Sequence, residues 1–348
     1  MAVDLTGGLA DDREYVFADQ PDDPEMRESV NAWIWDNGTE VGMPRIGVEA
    51  VGDQWETHDL QVNISCADGR VFNVFGQGKV HDPAGADGKP RVLGAGPLSF
   101  ELVEPFTHWR MHLDGLALES TVANQIAAKR PEGEPDVHVE ADIDIVSAVP
   151  PWENGALLAE AKRVLEEQDE GALMGGPRFE QLSRATGTLR VGDEEHRIDG
   201  GALRVRRQGI RRLGTFRGHV WQSALFPSGR GFGFIVYPPR EDGLPTYNEG
   251  YVFDGDGELT PAWVVDAPWL HTLEPRAERV PVVLESEKGT TRITGESVVS
   301  CFMVMGGVGP GTEGYPVLQQ AIVRYTLDGE TANGMMERSM PANKLART

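Results

Sequence analysis

The stretch His58-Asp-Leu-Gln-Val-Asn-Ile-Ser-Cys66 alternates between polar and apolar residues. In an extended chain, Leu60, Val62 and Ile64 would share one face, and the polar residues between them would share the other. This period of two predicts a half-buried β-strand. Residues 137–144 alternate in the same way and predict a second strand of this kind.

Short runs that favour turns separate such strands along most of the chain. They are Ala67-Asp-Gly-Arg70, Asp82-Pro83, Val191-Gly-Asp193, Pro227-Ser-Gly-Arg230, Asp254-Gly-Asp-Gly257 and Lys288-Gly289. Glycine, proline and aspartate fit the backbone angles that tight turns require. Many short strands with regular turns predict an all-β protein, built as antiparallel barrels or sandwiches.

Helical periodicity is confined to two places. Residues 156–170 carry an apolar stripe opposite charged residues, which predicts a helix that starts at Asn154 or Gly155 and ends before Gly171. Residues 24–30 predict a second, weaker helical piece.

The turn at Ala67-Asp-Gly-Arg-Val-Phe72 has a counterpart at Pro227-Ser-Gly-Arg-Gly-Phe232. Both follow one predicted strand and lead into another, and the stronger predicted helix lies between them. We interpret this echo as a duplication. It predicts an N-terminal β domain at 1–150, a helical linker at 151–176, a C-terminal β domain at 177–340 and a tail at 341–348.

Composition excludes several classes of partner. The 348 residues include 55 Asp and Glu against 32 Lys and Arg, for a net charge of −23. So acidic a chain is a poor match for nucleic acid or an anionic membrane surface. No apolar run is long enough to span a membrane, the N-terminus lacks the pattern of a signal peptide, and Cys66 and Cys301 suggest buried thiols. We therefore expect a cytoplasmic protein.

Several short motifs resemble one known superfamily. They are Phe179-Glu-Gln, Thr186-Gly-Thr-Leu-Arg-Val-Gly192, Phe226-Pro-Ser-Gly-Arg230, Gly250-Tyr-Val-Phe-Asp254 and the segment from Gly96 to Gly115. They resemble the tandem lipocalin-like superfamily of carotenoid 1,2-hydratase (hydroxyneurosporene synthase) and AttH-type proteins, within a bacterial subfamily of unassigned activity. The resemblance implies two lipocalin-like barrels in tandem with an apolar ligand site.

One family segment differs here in its chemistry. Hydratases of the superfamily resemble one another at Arg-Asp-His-x-Trp-Gly, and the matching stretch in this chain is Arg204-Val-Arg-Arg-Gln-Gly209. Only the first arginine and the last glycine are kept. Proton transfer would therefore have to come from other residues.

His219 and Glu249 are the predicted catalytic pair. His219 shares a strand face with Trp221, and an unperturbed histidine has a pKa suited to acid–base work. Glu249 shares a face with Tyr247, Tyr251 and Phe253, and a carboxylate among aromatics is costly unless it is exposed, paired or functional. Two alternatives stay open: a structural His219 within the core, and a Glu249 paired with an arginine of 204–212.

The substrate-binding residues are predicted around that pair. Arg207 and Gln208 would hold a polar part of the substrate, and aromatic residues would shape the pocket, namely Trp221, Tyr247, Tyr251 and Trp269. His108 and His112 lie too far apart on a strand to share a metal, and we expect neither a metal site nor a cofactor.

These observations favour a cofactor-independent lyase or isomerase, such as a hydratase, dehydratase or cyclase, acting on an apolar terpenoid- or steroid-like molecule. The alternatives are a non-catalytic carrier of small lipophilic molecules and an accessory protein that docks a partner. An apolar cavity with few polar groups serves the first two equally well. A homodimer is left open.

Overall fold

The structure is a computed structural model that describes residues 3–38, 40–168, 176–212, 217–306, 308–312 and 316–346. The strands of the first sheet are β1 Met26–Asp36, β2 Val41–Val51, β3 Thr57–Cys66, β4 Arg70–Lys79, β5 Val92–Ala95, β6 Leu98–Glu104, β7 His108–Thr121, β8 Val137–Ser147, β9 Trp152–Glu153, β10 Arg178–Val191 and β11 Glu194–Ile210. Those of the second are β12 His219–Leu225, β13 Gly231–Val236, β14 Asn248–Phe253, β15 Thr260–Asp266, β16 Val282–Ser286, β17 Gly289–Met303, β18 Pro316–Leu327 and β19 Glu330–Pro341. The helices are α1 Val122–Ile126 and α2 Ala159–Glu167.

Both sheets are antiparallel and both close on themselves. The first has the order β4-β3-β2-β1-β11-β10-β8-β7-β6-β5, and pairing of β4 with β7 joins eight of its strands into a ring. The second is a closed barrel of β12 to β19 in chain order. The prediction of an all-β fold with two antiparallel units is therefore confirmed. We call the two units the first ring and the barrel.

The change from one sheet to the other does not fall in the predicted linker at 151–176. Strand β11 pairs with β1 and β10 pairs with β8, so both strands complete the first ring, and the barrel begins at β12. Helix α2 connects β9 to β10 within the first ring. Sequence alternation could not show this, because it does not identify which strands pair. The division into domains at 1–150 and 177–340 stays a prediction.

The predicted helical piece at 24–30 is wrong, because most of that stretch belongs to β1. Eight consecutive residues of β1 are buried, so the strand lacks the alternation of a one-sided strand. The helix at 156–170 is confirmed in place, but α2 begins only at Ala159, after an extended Leu158 and a left-handed Gly155. The predicted end at Glu170 and Gly171 lies outside the described residues.

The two echoed motifs are both hairpin turns, as predicted. One joins β3 to β4 and the other joins β12 to β13. Gly69 and Gly229 have φ angles of 93° and 90°, a region that favours glycine. The interpretation of the echo as a duplication stays a prediction.

The two units pack against each other through an aromatic layer. Trp33 of β1 meets Trp221 of β12 edge-to-face, with ring centroids 4.5 Å apart. We call this contact between ring and barrel the seam, and its buried apolar residues include Trp33, Trp35, Trp152, Leu182, Leu203, Val205, Trp221, Ile235, Tyr247, Tyr251, Ile322 and Met335. The inside of the barrel holds a separate cluster with Phe232, Phe234 and Tyr325, so the barrel interior is filled by side chains.

Replacing Trp33 should loosen the seam. Trp33→Ala removes a large, 2% exposed side chain, so we expect a loss of about 3–5 kcal/mol in the free energy of unfolding, measured by denaturant or thermal melting. Trp263→Ala is the matched control, because that indole is 42% exposed. Equal effects of the two substitutions would contradict the description of the seam.

Candidate functional site

His219 lies at the seam, on the same face of β12 as Trp221. Its Nδ1 is hydrogen-bonded to Ser339 Oγ at 2.8 Å, and its Nε2 lies 3.3 Å from Glu337 Oε1. Ser339 and Glu337 are two residues apart on β19, so both point to this face. A partner at each ring nitrogen fixes the orientation of the imidazole.

Glu337 is a buried carboxylate that keeps its charge. Burial opposes ionisation, but the hydrogen bond from His219 and the charge of Arg45 outweigh it and lower the pKa of Glu337 to about 2. Arg45 Nη1 lies 3.9 Å from Glu337 Oε2. The site therefore holds a fixed negative charge beside the histidine ring.

A chain of amide hydrogen bonds links this carboxylate to the first ring. Asn73 donates to Asn63 at 2.9 Å, Asn63 donates to Gln320 at 2.7 Å, and Gln320 donates to Glu337 at 2.6 Å. The bond from Asn63 on β3 to Gln320 on β18 crosses between the units. The position of His219 is thus coupled to the way in which ring and barrel dock.

A second polar group adjoins Trp221. The indole Nε1 donates to Glu180 at 2.9 Å, Arg178 pairs with Glu180 at 2.7 Å, and the Arg178 guanidinium lies over the Trp221 ring at 4.6 Å. Burial raises the pKa of Glu180, although Arg178 opposes the shift. The predicted pocket residue Trp221 is therefore held between a guanidinium and a carboxylate.

Glu249 is fully buried and accepts five hydrogen bonds. They come from Trp152 Nε1 at 2.9 Å and the Tyr247 hydroxyl at 2.9 Å, and from the backbone amides of Gly155, Leu157 and Leu158 at 2.6, 2.9 and 2.8 Å. Those amides lie in the turn that leads into α2, which begins at Ala159. Glu249 thus fastens the start of α2 to the barrel. Among the described residues its partners are not arginines, so the predicted pairing with 204–212 is not found.

Arg207 and Gln208 are not brought together. As neighbours on a strand, they point to opposite faces of β11. Arg207 faces the seam, whereas Gln208 donates to Glu28 at 2.8 Å and to the carbonyl of Tyr15 at 3.0 Å inside the first ring. The predicted joint role of these two residues does not fit this geometry.

The predicted aromatic residues divide between two places. Tyr247 and Tyr251 belong to the seam, where burial raises the pKa of both hydroxyls well above its usual range. Tyr251 packs edge-to-face on Trp152, with centroids 5.7 Å apart. Trp269 instead packs against the barrel core and a cluster around Leu270. It is not part of the seam.

Sequence reasoning missed four of the residues that hold the site. Glu180 lies within the Phe179-Glu-Gln motif, and Glu337 and Ser339 lie on a strand whose alternation places them beside His219. Trp33 lies on β1, and the predicted helical piece at 24–30 covered the first residues of that strand. Within the described ranges no cluster of three His, Cys, Asp or Glu residues could hold a metal, and no helix is long and apolar enough to cross a membrane.

Fold and seam together define a class of protein with two closed antiparallel β units and a polar site between them. The chain belongs to the family described as Domain of unknown function (DUF7064), which matches residues 12–342. No curated protein matches it.

Solved structures share this fold at low identity. A putative AttH from Nitrosomonas europaea is 13% identical, with 91% of this chain and 93% of that chain covered and a TM-score of 0.53. CghA with Sch210972 is 11% identical, with 91% and 88% covered and a TM-score of 0.53. CghA alone is 10% identical, with 92% and 89% covered and the same TM-score. The predicted resemblance to AttH-type proteins is confirmed at the level of the fold.

Glu249→Gln tests the fastening of α2. In the variant, an NH2 group replaces one carboxylate oxygen and faces N–H or O–H donors that now bond to that oxygen. We therefore expect the free energy of unfolding, measured by thermal melting, to fall by about 1–3 kcal/mol. Glu258→Gln, on an exposed loop, is the control. That Glu249 exchanges protons stays a prediction, and an unchanged melting temperature with lost turnover would favour it.

Protonation of the Glu337 carboxylate should contribute to unfolding at low pH. Its folded pKa of about 2 lies below the ordinary 4.5, so its ionised form stabilises the fold above pH 4.5 and this contribution is lost as the pH falls toward 2. The free energy of unfolding of Glu337→Gln should therefore fall less steeply between about pH 5 and pH 2 than that of the wild type. Identical slopes for both proteins would count against the assignment.

Proposed function

We propose that this protein is a cofactor-independent lyase or isomerase, of hydratase, dehydratase or cyclase type, and that it acts on an apolar terpenoid- or steroid-like molecule at the seam. The observation that carries the proposal is the constellation of His219, Ser339 and Glu337 beside the paired indoles of Trp33 and Trp221. A positioned histidine next to an apolar aromatic wall suits proton transfer to or from a hydrocarbon-rich substrate.

His219 is the proposed proton-transfer residue. Ser339 holds the ring through the 2.8 Å bond at Nδ1, and in this proposal a substrate atom takes the place of Glu337 at Nε2, where the contact with the carboxylate is 3.3 Å long. Aromatic faces such as those of the indoles also stabilise positive charge that develops on a substrate. Glu249, which accepts five hydrogen bonds, acts in this proposal as a structural residue.

The fold supports an enzyme of this type by analogy. The sequence motifs resemble a superfamily that contains carotenoid 1,2-hydratase, and the fold is shared with a putative AttH and with CghA. CghA has been crystallised with Sch210972, which supports a ligand site in this architecture. The seam is favoured over the barrel interior as the site because His219 and its partners Ser339 and Glu337 face the seam.

His219→Gln should abolish turnover while leaving binding intact. Binding is followed by quenching of tryptophan emission across a panel of terpenoids and steroids, since two indoles face the site. Turnover is followed by mass spectrometry as gain or loss of water or as deuterium uptake from heavy water. We expect a rate loss of about 100-fold or more, the usual scale for one acid–base group.

The control is His112→Gln, which changes an exposed histidine of β7 that is paired with Asp142 of β8 and is not part of the seam. Unchanged turnover in His219→Gln would contradict the assigned role. A wild type that binds ligands of the panel but converts none would favour the alternative, a carrier of lipophilic molecules.

A further inference from the structure

Four arginines gather at one end of the seam. Arg45 lies on β2, Arg178 on β10, Arg207 on β11, and Arg211 just after β11. The charges of the other three all act on Arg207, and Glu49 is the carboxylate that acts on it most strongly. Glu49 is itself paired with Arg27. These four side chains bring positive charge together in a chain whose net charge is −23.

Arg207 is the member of this group without a contact ion pair, because the carboxylates of Glu49 and Glu180 act on it only from a longer distance. It is 6% exposed, its Nε makes no hydrogen bond, and no ion pair reaches its guanidinium within the described part of the chain. Arg204 and Arg206, on the opposite face of the same strand, are also buried, but they pair with Glu14 and Glu28. All three residues are at most 6% exposed, so the main difference between them is that no carboxylate pairs with Arg207.

An unpaired buried guanidinium is costly. Burial, followed by the neighbouring charges of Arg211 and Arg178, lowers the pKa of Arg207 well below its usual range. A guanidinium nonetheless keeps its proton at neutral pH, so the charge stays in place and destabilises the protein. A negative charge supplied from outside would offset this cost.

Further unused donors face the seam. Ser29 lies directly opposite Arg207 in the register of β1 and β11, and its buried hydroxyl has no hydrogen-bond partner. The buried Trp33 Nε1 and Arg45 Nε also lack partners, and the Arg45 guanidinium lies 5.7 Å from the Trp33 ring. Ser29 and Trp33 share one face of β1, four residues apart. These groups can all donate hydrogen bonds, so a ligand with several hydrogen-bond acceptor atoms would satisfy them.

We propose that the seam binds the carboxylate of an otherwise apolar ligand, with Arg207 as its ion-pair partner and Ser29 as a further donor. This inference rests on the proposed function, since it names the class of substrate that the seam accepts. A planar guanidinium matches the two oxygens of a carboxylate with two parallel hydrogen bonds. The indoles of Trp33 and Trp221 would contact the apolar body next to this anchor.

Two probes with the same apolar body test the head-group preference. The full-length protein is titrated with 1-pyrenebutyrate and with 1-pyrenebutanol, and tryptophan emission reports binding. The wild type should bind the carboxylate about tenfold or more tightly than the alcohol. Arg207→Met should lose this preference and still bind the alcohol, whereas Arg207→Lys, which keeps the charge without the planar fork, should retain part of it.

Other outcomes would overturn the inference. Equal affinity of the wild type for both probes would overturn the carboxylate site and leave an apolar seam site, and with it the proposed function, standing. Binding of neither probe would overturn both. Retention of the full preference in Arg207→Met would show that the carboxylate binds elsewhere.

Thermal stability without ligand provides a second test. Arg207→Met removes an uncompensated charge and should raise the melting temperature by a few degrees. Arg204→Met, the matched control, leaves Glu14 without its cation and should lower it. A decrease in Arg207→Met as large as in this control would make Arg207 a structural residue and overturn the inference.

Discussion

A polar atom buried at the seam has lost contact with water and is costly unless it finds a hydrogen-bond partner. This constraint explains the arrangement around Glu249, whose side chain has no exposed area and accepts hydrogen bonds from five donors. It also explains why Trp152 and the start of α2 sit where they do, since both deliver N–H groups to that carboxylate. The chain of amides from Asn73 to Glu337 meets the same demand across the two units. Ring and barrel therefore dock in one register, because sliding them would break these bonds.

Local alternation predicted much of the fold. The stretch 58–66 forms β3 almost as expected, and the glycine turns at 69 and 229 lie in hairpins. Two features escaped it for physical reasons. Strand β1 is buried on both faces, which removes the period of two that identifies a half-buried strand. Pairing between β1 and β11 joins residues far apart in the chain, and no local pattern specifies such a partner.

The candidate site was predicted in part. Alternation correctly grouped His219 with Trp221, and Tyr247 with Glu249 and Tyr251, because a strand face depends only on residue parity. By the same rule, the neighbours Arg207 and Gln208 point to opposite faces of β11. What the sequence alone could not supply were the partners from other strands: Ser339 and Glu337 for the histidine, and the amides of Gly155 to Leu158 for Glu249. Those partners decide whether a buried polar residue is structural or reactive.

The completion of the first ring by β10 and β11 has a consequence for synthesis on the ribosome. Strands β1 to β8 emerge early, but β1 and β8 each keep an unpaired edge until residues 178–210 have been made. Open edges of this kind are templates for pairing with other chains. A nascent chain is thus exposed to aggregation until more than half of it has left the ribosome, and a fragment cut after α2 would keep both edges open.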